Sequence, residues 1–559
     1  MGALTLPFRR LLATALIASA LLLLADPSLA ATLRRGNGAE PGSLDPHYVS
    51  GSWENNIIGD MFVGLMTENA AGEAIPGAAE SYTVSEDGRI YTFTIREGHV
   101  WSDGTPVTAE DFVFSLRRIM DPITAAEYAS ILYVIEGGQA VNSGEAPVES
   151  LGVRAIDSRT LEITLANPAP FFIELLTHFT TFPVPPHVIA EHGKEWIKPD
   201  NVVSNGAYTL VEWRAKDYIH LTKNPSFYDA DNVAIEDVYF HPTQDASAAL
   251  KRFRARELDV NSGAPSQQLD WLRENMPESL RIAPYVVVSY LAFNTDREPY
   301  GDPRIRQALS MALEREVFTE CILRAGQTPA YSFVPPGIAN FPGGTEMDFK
   351  GLPREERLAR ANALLAEAGY TKDNPLRMEF GYRESNTGRR IAVLIQAMWK
   401  ELDAVRADLL RTEVRVHYNN LRSGDFEVGD AGWIADYNDA QNFLFLVEGS
   451  SGQMNYGRYA NPRFDALMNA AAAELDLEKR GALLAEAEAI VVRDQPLMPL
   501  WFGVSLNLVR PYVTGWEDNV TNVHRTRFLK IDEDAQAKAP GARELPRIAH
   551  AYGLGCARG

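Results

Sequence analysis

The residues that could do chemistry crowd into one stretch, "GDAGWIADYNDAQNF", Gly429 to Phe443. Asp430, Asp436 and Asp439, with Asp425 just upstream, surround Trp433 and Tyr437, and the run "AGWIA" is too apolar for a solvated loop. A carboxylate beside aromatic surface has lost hydration and must be compensated. Two roles fit: an aspartate capping N–H groups of its own loop beside a core tryptophan, or one receiving a cation in a cleft.

Other chemical signatures are thin. "HVIAEH" places His187 and His192 five apart, which misses the i, i+4 spacing of a helical zinc-binding pair. No G-x-S-x-G elbow and no G-x-x-x-x-G-K-[ST] phosphate loop occurs. "GNGAEPG" and "GLGCARG" are glycine-rich without the spacing of a dinucleotide fingerprint. Cys321 and Cys556 alone cannot make a zinc site, and whether they pair depends on their distance in space. We therefore expect no catalytic residue, no metal and no cofactor, although spacing along the chain leaves open a triad assembled from distant residues.

The elements that must position the aspartates mix strand and helix signals. "RIYTFTIREG" puts Tyr91, Phe93 and Ile95 on one face, and "TLEITLANP" does the same with Leu161, Ile163 and Leu165, as half-buried strands do. Thr108 followed by Asp111 is a near match to a capping box and predicts a helix start. "PREERLARANALLAEAGY" opens at Pro353 and closes at Gly369, and "EKRGALLAEAEAIVVRDQP" stops before Pro496; both read as amphipathic packing helices. No repeat period and no low-complexity linker divides the chain.

Composition bounds the partners. The 559 residues are 46% hydrophobic with a formal charge of −21, so the chain is globular, and its acidity argues against nucleic acid. At the N-terminus, Arg9 and Arg10 precede an apolar run through Leu24 and the small residues Ser28 and Ala30. Residues 1–30 read as a signal peptide cleaved after Ala30, too short and too interrupted by Pro27 for a membrane span. No cysteine stands at the cleavage site to carry a lipid, so an exported protein free of a lipid anchor is expected.

Beyond these signals, "PGSLDPHYVSG" from Pro41, "REGHVWSDGTPVTAEDFVFS", "VVSNGAYTLVEW", "DPRIRQALSMALER", "GWIADYND" and "RTRFLKID" occur in order. In this the chain resembles the periplasmic oligopeptide- and dipeptide-binding receptors of bacterial ABC importers. The resemblance implies an α/β, two-lobed periplasmic-binding-protein fold with an extra third domain and a ligand cleft between the lobes. Carried onto this sequence, lobe I would take 31–64, 200–296 and 501–532, the extra domain 65–199 and lobe II 297–500, with 533–559 a mobile tail. The implied function is capture of an oligopeptide by a closing cleft and delivery to an inner-membrane ABC permease, by a periplasmic monomer. The alternative keeps the fold with another ligand: a murein peptide, an opine-like or sugar conjugate, or a metal chelate.

The resemblance also assigns residues. The aspartate of the W-x-A-D-Y run, Asp436, would receive the ligand's α-ammonium group, and Trp433 and Tyr437 would strengthen that pairing by lowering the local dielectric. The backbone of Gly432, Trp433 and Ile434 would pair with the peptide main chain as an added strand, which ignores side-chain identity. Tyr128 matches a ligand-facing tyrosine of the extra domain. Departures matter too: two arginines that can meet a peptide's carboxylate in the enteric oligopeptide receptor fall on Leu421 and Asp430, with Arg422 adjacent to the first. An anion at Asp430 would repel the ligand's far end, so amidating it should cost little, unless Arg422, or Arg389 and Arg390, supplies the cation. That receptor's cysteine pair falls on Val287 and Ile434. Gly503, at a commonly aromatic position, is expected to widen the cleft.

Overall fold

The computed structural model describes residues 31–126 and 128–539. The proposed signal peptide, Cys556 and most of the expected tail lie outside them. Cys321 is disulfide-bonded. At the described beginning of the tail, Glu533–Lys538 is a helix capped by Asp532, whose Oδ1 accepts from Ala535 N at 2.9 Å.

An eleven-stranded sheet dominates the described residues. One half is built from Val260–Ser262, Thr32–Gly36, Asp237–His241, Tyr218–Lys223 and Tyr208–Arg214 in spatial order. The other half orders Val405–Thr412, Leu376–Arg383 and Val428–Ile434. Between them run two long antiparallel strands, Leu280–Phe293 and Leu497–Val509, which join the halves. Layers of helices flank the second half: Phe380, Ile395 and Trp399 pack in one apolar cluster, and Tyr290, Leu421 and Phe443 pack in another. Helices on both faces of a mostly parallel or mixed sheet are a stable two-sided burial scheme.

A separate four-stranded antiparallel sheet, Ala79–Val84, Ile90–Ile95, Thr160–Thr164 and Val153–Asp157, lies within residues 65–199. Its alternating apolar positions behave as their period requires: Phe93, Ile95, Leu161 and Ile163 are fully buried. The helix Ala109–Met120 starts where the Thr108/Asp111 pair predicts, with Thr108 N donating to Asp111 Oδ2 at 3.0 Å. Trp101 Nε1 reaches the same oxygen at 3.2 Å. The "WSDGTPVTAEDF" motif is thus architectural.

The "NGAYTL" motif is architectural as well. Asn205 bonds both the N–H and the carbonyl of Val63, at 3.1 and 2.9 Å, and a Cβ at Gly206 would stand 2.6 Å from the Met61 backbone. These residues clamp the return of the chain from the four-stranded unit onto the large sheet. "SLDPH" supplies another anchor: Asp45 accepts from Arg118 at 2.7 Å and from Trp196 Nε1 at 3.0 Å.

Candidate functional site

The strand Val428–Ile434 pairs along its whole length with Leu280–Phe293 on one side. On its other side it meets Leu376–Arg383 only at Phe380/Val428 and Gly381/Gly429, after which the two part. Along a strand, alternate residues present their N–H and C=O to the same edge. Ala435 N bonds Val286 O at 2.9 Å, which points the odd-numbered residues toward Leu280–Phe293. Asp430 O is met from the other edge by His417 Nε2 at 2.7 Å. Gly432 and Ile434 therefore offer their main-chain groups to the open edge, and Ile434 is exposed. Trp433 does not: its backbone belongs to the pairing with Val288, correcting the expectation that all three residues face a ligand strand.

Each aspartate of the opening stretch has a different fate. Asp439 is locked by Arg480 in two bonds of 2.6 and 2.8 Å, both side chains buried. Asp425, on the surface, pairs with Arg297 at 3.0 Å. Asp430 accepts from Arg383 Nε at 2.8 Å and from Arg383 N at 2.9 Å, with His417 Nε2 at 3.1 Å. Asp436 alone among the four has no cation among the described residues; its Oδ1 accepts from the Tyr128 hydroxyl at 2.9 Å.

Burial pushes the Asp436 carboxyl up to about 6, while the hydrogen bonds from Tyr128 and Asn442 pull the other way. Asn442 Oδ1 accepts from both Asp436 N, at 3.0 Å, and Trp433 Nε1, at 2.9 Å, and so fixes the loop that carries the acid. Tyr437 is buried, stacked on Phe171 at 5.2 Å, with its hydroxyl on Gln441 at 2.7 Å. Tyr128 stacks on His178 at 5.5 Å, and burial drives that imidazole down to about 3, so it is neutral at ordinary pH. Asp436 is thus a weakly solvated carboxyl held between hydrogen-bond donors and aromatic rings. It suits a cation that brings its own N–H donors.

Two further expectations are corrected. Asp430 does not stand as an uncompensated anion: Arg383 neutralises it, so the basis for repelling a ligand carboxylate there falls away. Gly503 does not widen a cleft, because a Cβ on it would lie 2.7 Å from Val287 Cβ; the space is filled by a register shift between Pro284 and Val288. Leu421 is a core residue packed against Gly429. Arg422 sits exposed on the helix Val414–Ser423, its guanidinium 5.9 Å from the Tyr418 ring. Arg389 and Arg390 are exposed on the helix Asn386–Trp399. Val287 and Ile434 are direct cross-strand neighbours, where the resemblance placed a cysteine pair. Sequence reasoning missed Arg383 and Asn442; the signal for the first was a cation closing the strand "LRMEFGYR".

Residues 73–455 match the bacterial extracellular solute-binding proteins, family 5 Middle. The chain belongs to that family. It is 36% identical over 505 residues to the periplasmic oligopeptide-binding protein OppA of Escherichia coli, covering 89% of this chain and 92% of the relative. It is 37% identical over 485 residues to the probable deoxycholate-binding periplasmic protein YgiS of the same organism, covering 86% and 90%. Among solved structures, the unliganded open form of the periplasmic murein tripeptide binding protein MppA superposes with a TM-score of 0.80 at 34% identity, covering 90% of this chain and 98% of that one. Members of family 5 are solute-binding proteins, and the two-lobed α/β architecture is shared with the MppA structure.

Proposed function

We propose that this solute-binding protein is a periplasmic receptor that captures oligopeptides between its lobes and hands them to an inner-membrane ABC permease. The observation that carries the reading is Asp436: an enclosed carboxyl without a cation partner among the described residues, beside an open strand edge at Gly432 and Ile434. A peptide supplies both missing partners, an α-ammonium for the acid and a main chain for the edge. The oligopeptide-binding relative supports this ligand class. The lobe boundaries expected from the sequence, export behind a cleaved signal peptide without a lipid anchor, and action as a monomer belong to the same proposal.

A second reading has an observation of its own. A relative of equal similarity bears a name for binding deoxycholate, which has no ammonium group. Asp436 would then be idle. Mass spectrometry of ligand retained through native purification separates the two. In calorimetry, Asp436→Asn should weaken free-amine peptides by about 30-fold or more, since truncating one partner of a buried charge pair costs roughly 2–5 kcal/mol. N-acetylated peptides should bind the wild type equally poorly. Equal affinity for acetylated and free peptides would remove Asp436 from this role.

A further inference from the structure

The chain holds two cysteines, Cys321 and Cys556, 235 positions apart. Cys321 is disulfide-bonded. Within one molecule a single residue can complete that bond, and it is Cys556, in the C-terminal segment 540–559. The place of Cys321 in the fold then decides where that segment must reach.

Cys321 sits on the helical segment Val317–Leu323, beside the junction of the two sheet halves. Phe318 of the same segment packs in the apolar cluster of the second half, 6.1 Å from the ring of Trp501 on a crossing strand. Three residues after Cys321, Arg324 Nη2 donates to Asp270 Oδ2 at 2.5 Å, and Arg324 O accepts from Arg273 at 3.4 Å. Both partners lie on the helix Leu269–Asn275, whose Leu269 and Leu272 pack with Leu250, Phe253 and Leu508 in the first half. The path has a second end. Arg256 donates to Gln536 O of the helix Glu533–Lys538, and the Arg254 guanidinium lies 4.9 Å from the Trp271 ring. Contacts thus lead from the last described helix, past Trp271 and Asp270, to Cys321. From Ala539 to Cys556 is 17 residues, or up to about 56 Å of extended chain, ample for that path.

We infer that Cys321 and Cys556 form an intramolecular disulfide, and that segment 540–559 lies as a strap across the junction of the sheet halves, docked on the face of Trp271, Ile322 and Leu323. Those three side chains are only half-buried. The segment suits them in pattern: Tyr552, Leu554 and Cys556 alternate with Gly553 and Gly555, so an extended chain presents both apolar side chains on the face that carries the sulfur. It also suits them in charge. Arg543, Arg547 and Arg558 outweigh Glu544 in the segment, while Asp270 and Glu274, one helical turn apart, and Glu320 are exposed along the path. Forming the bond takes two protons and two electrons from the two thiols, and the disulfide of a thiol–disulfide oxidoreductase accepts them and becomes a dithiol. A cross-link over so long a loop restricts the unfolded chain strongly, so the strap stabilises the folded state in an oxidising compartment and loses that effect on reduction.

The test uses the full-length protein, exported by a bacterial host and purified under alkylation. Peptide mapping without reduction should yield a pair joining Cys321 to Cys556, and the monomer should take up no alkylating agent, even unfolded, until it is reduced. Uptake of two alkyl groups without reduction overturns the inference, as does a covalent dimer through Cys321. Cys556→Ser, Cys321→Ser and the double variant should all lower the melting temperature by the same amount, about 5 °C or more, because each removes one and the same bond. Reduction of the wild type should reproduce that shift, which keeps the measurement available if a variant fails to fold. Trypsin should cut after Arg543 and Arg547 about tenfold faster in Cys556→Ser than in the oxidised wild type. A mapped bond with neither the melting shift nor the protection overturns the strap. None of these readouts depends on the ligand of the cleft.

Discussion

At the scale of single residues, the four aspartates show how a common side chain is sorted by its neighbours. Arg480, Arg383 and Arg297 each pair with one of them in a structural or clamping role, and Asp436 is left with a hydroxyl. Its carboxyl titrates near 6 against an ordinary 3.8, with burial as the main cause. Between those values the folded state carries the extra proton, so this group adds stability at low pH that is lost as pH rises toward 6. Affinity runs the other way: an ammonium ligand needs the ionised acid, so binding of free-amine peptides should weaken by up to about tenfold per unit below pH 6. Titrations between pH 5 and 7.5 in buffers of different ionisation enthalpy should show proton release on binding near pH 5.5. That release should disappear in Asp436→Asn. Its persistence there would move the titration to Glu174 or Glu448, which burial also raises, to about 7. The sequence made Asp436 legible because its motif is local. It could not reveal that Asp430 is compensated, because Arg383 lies 47 positions away and meets it only where their two strands part.

At the scale of elements, what the sequence encodes over short range was readable. The alternation through Phe93 and Leu161, the cap at Thr108 and the helices Arg354–Glu367 and Leu477–Asp494 all follow from period and end signals. What depends on register between distant strands was not. Trp433 faces the pairing edge and Gly503 faces a bulge, and neither follows from composition. A glycine at 503 reads as spare room, yet the structure requires it for close approach. Gly503→Ala should therefore destabilise by about 1–3 kcal/mol through overpacking against Val287. Val287→Gly in the same chain, which removes the Cβ that the new methyl would meet, should show a favourable coupling with Gly503→Ala, since the two sites share one contact. Denaturant unfolding of the single and double variants checks this, and strictly additive effects would count against the contact.

At the scale of the whole molecule, two long strands join the sheet halves, and the groups around Asp436 come from both sides of that join. Tyr128 bonds Asp436, Phe171 stacks on Tyr437, and the Arg480 guanidinium lies 5.8 Å from the Phe171 ring. The four-stranded unit and the strand Val428–Ile434 thus touch through a few polar and aromatic contacts beside the proposed site, an arrangement suited to opening by bending of the crossing strands. A ligand bridging Asp436 and the open edge adds contacts on both sides and should favour the closed arrangement by its differential affinity. Solution scattering should then give a smaller radius of gyration at saturating peptide. The melting temperature should rise with ligand concentration, as expected for stabilisation of about 2.7 kcal/mol at a hundredfold excess over Kd. Asp436→Asn separates the two steps: it should demand more peptide, yet contract to the same extent once saturated, because Gly432 and Ile434 still engage the main chain. Melting shifts with unchanged scattering at saturation would mean that ligand binds without closure, and the crossing strands would then be a rigid brace.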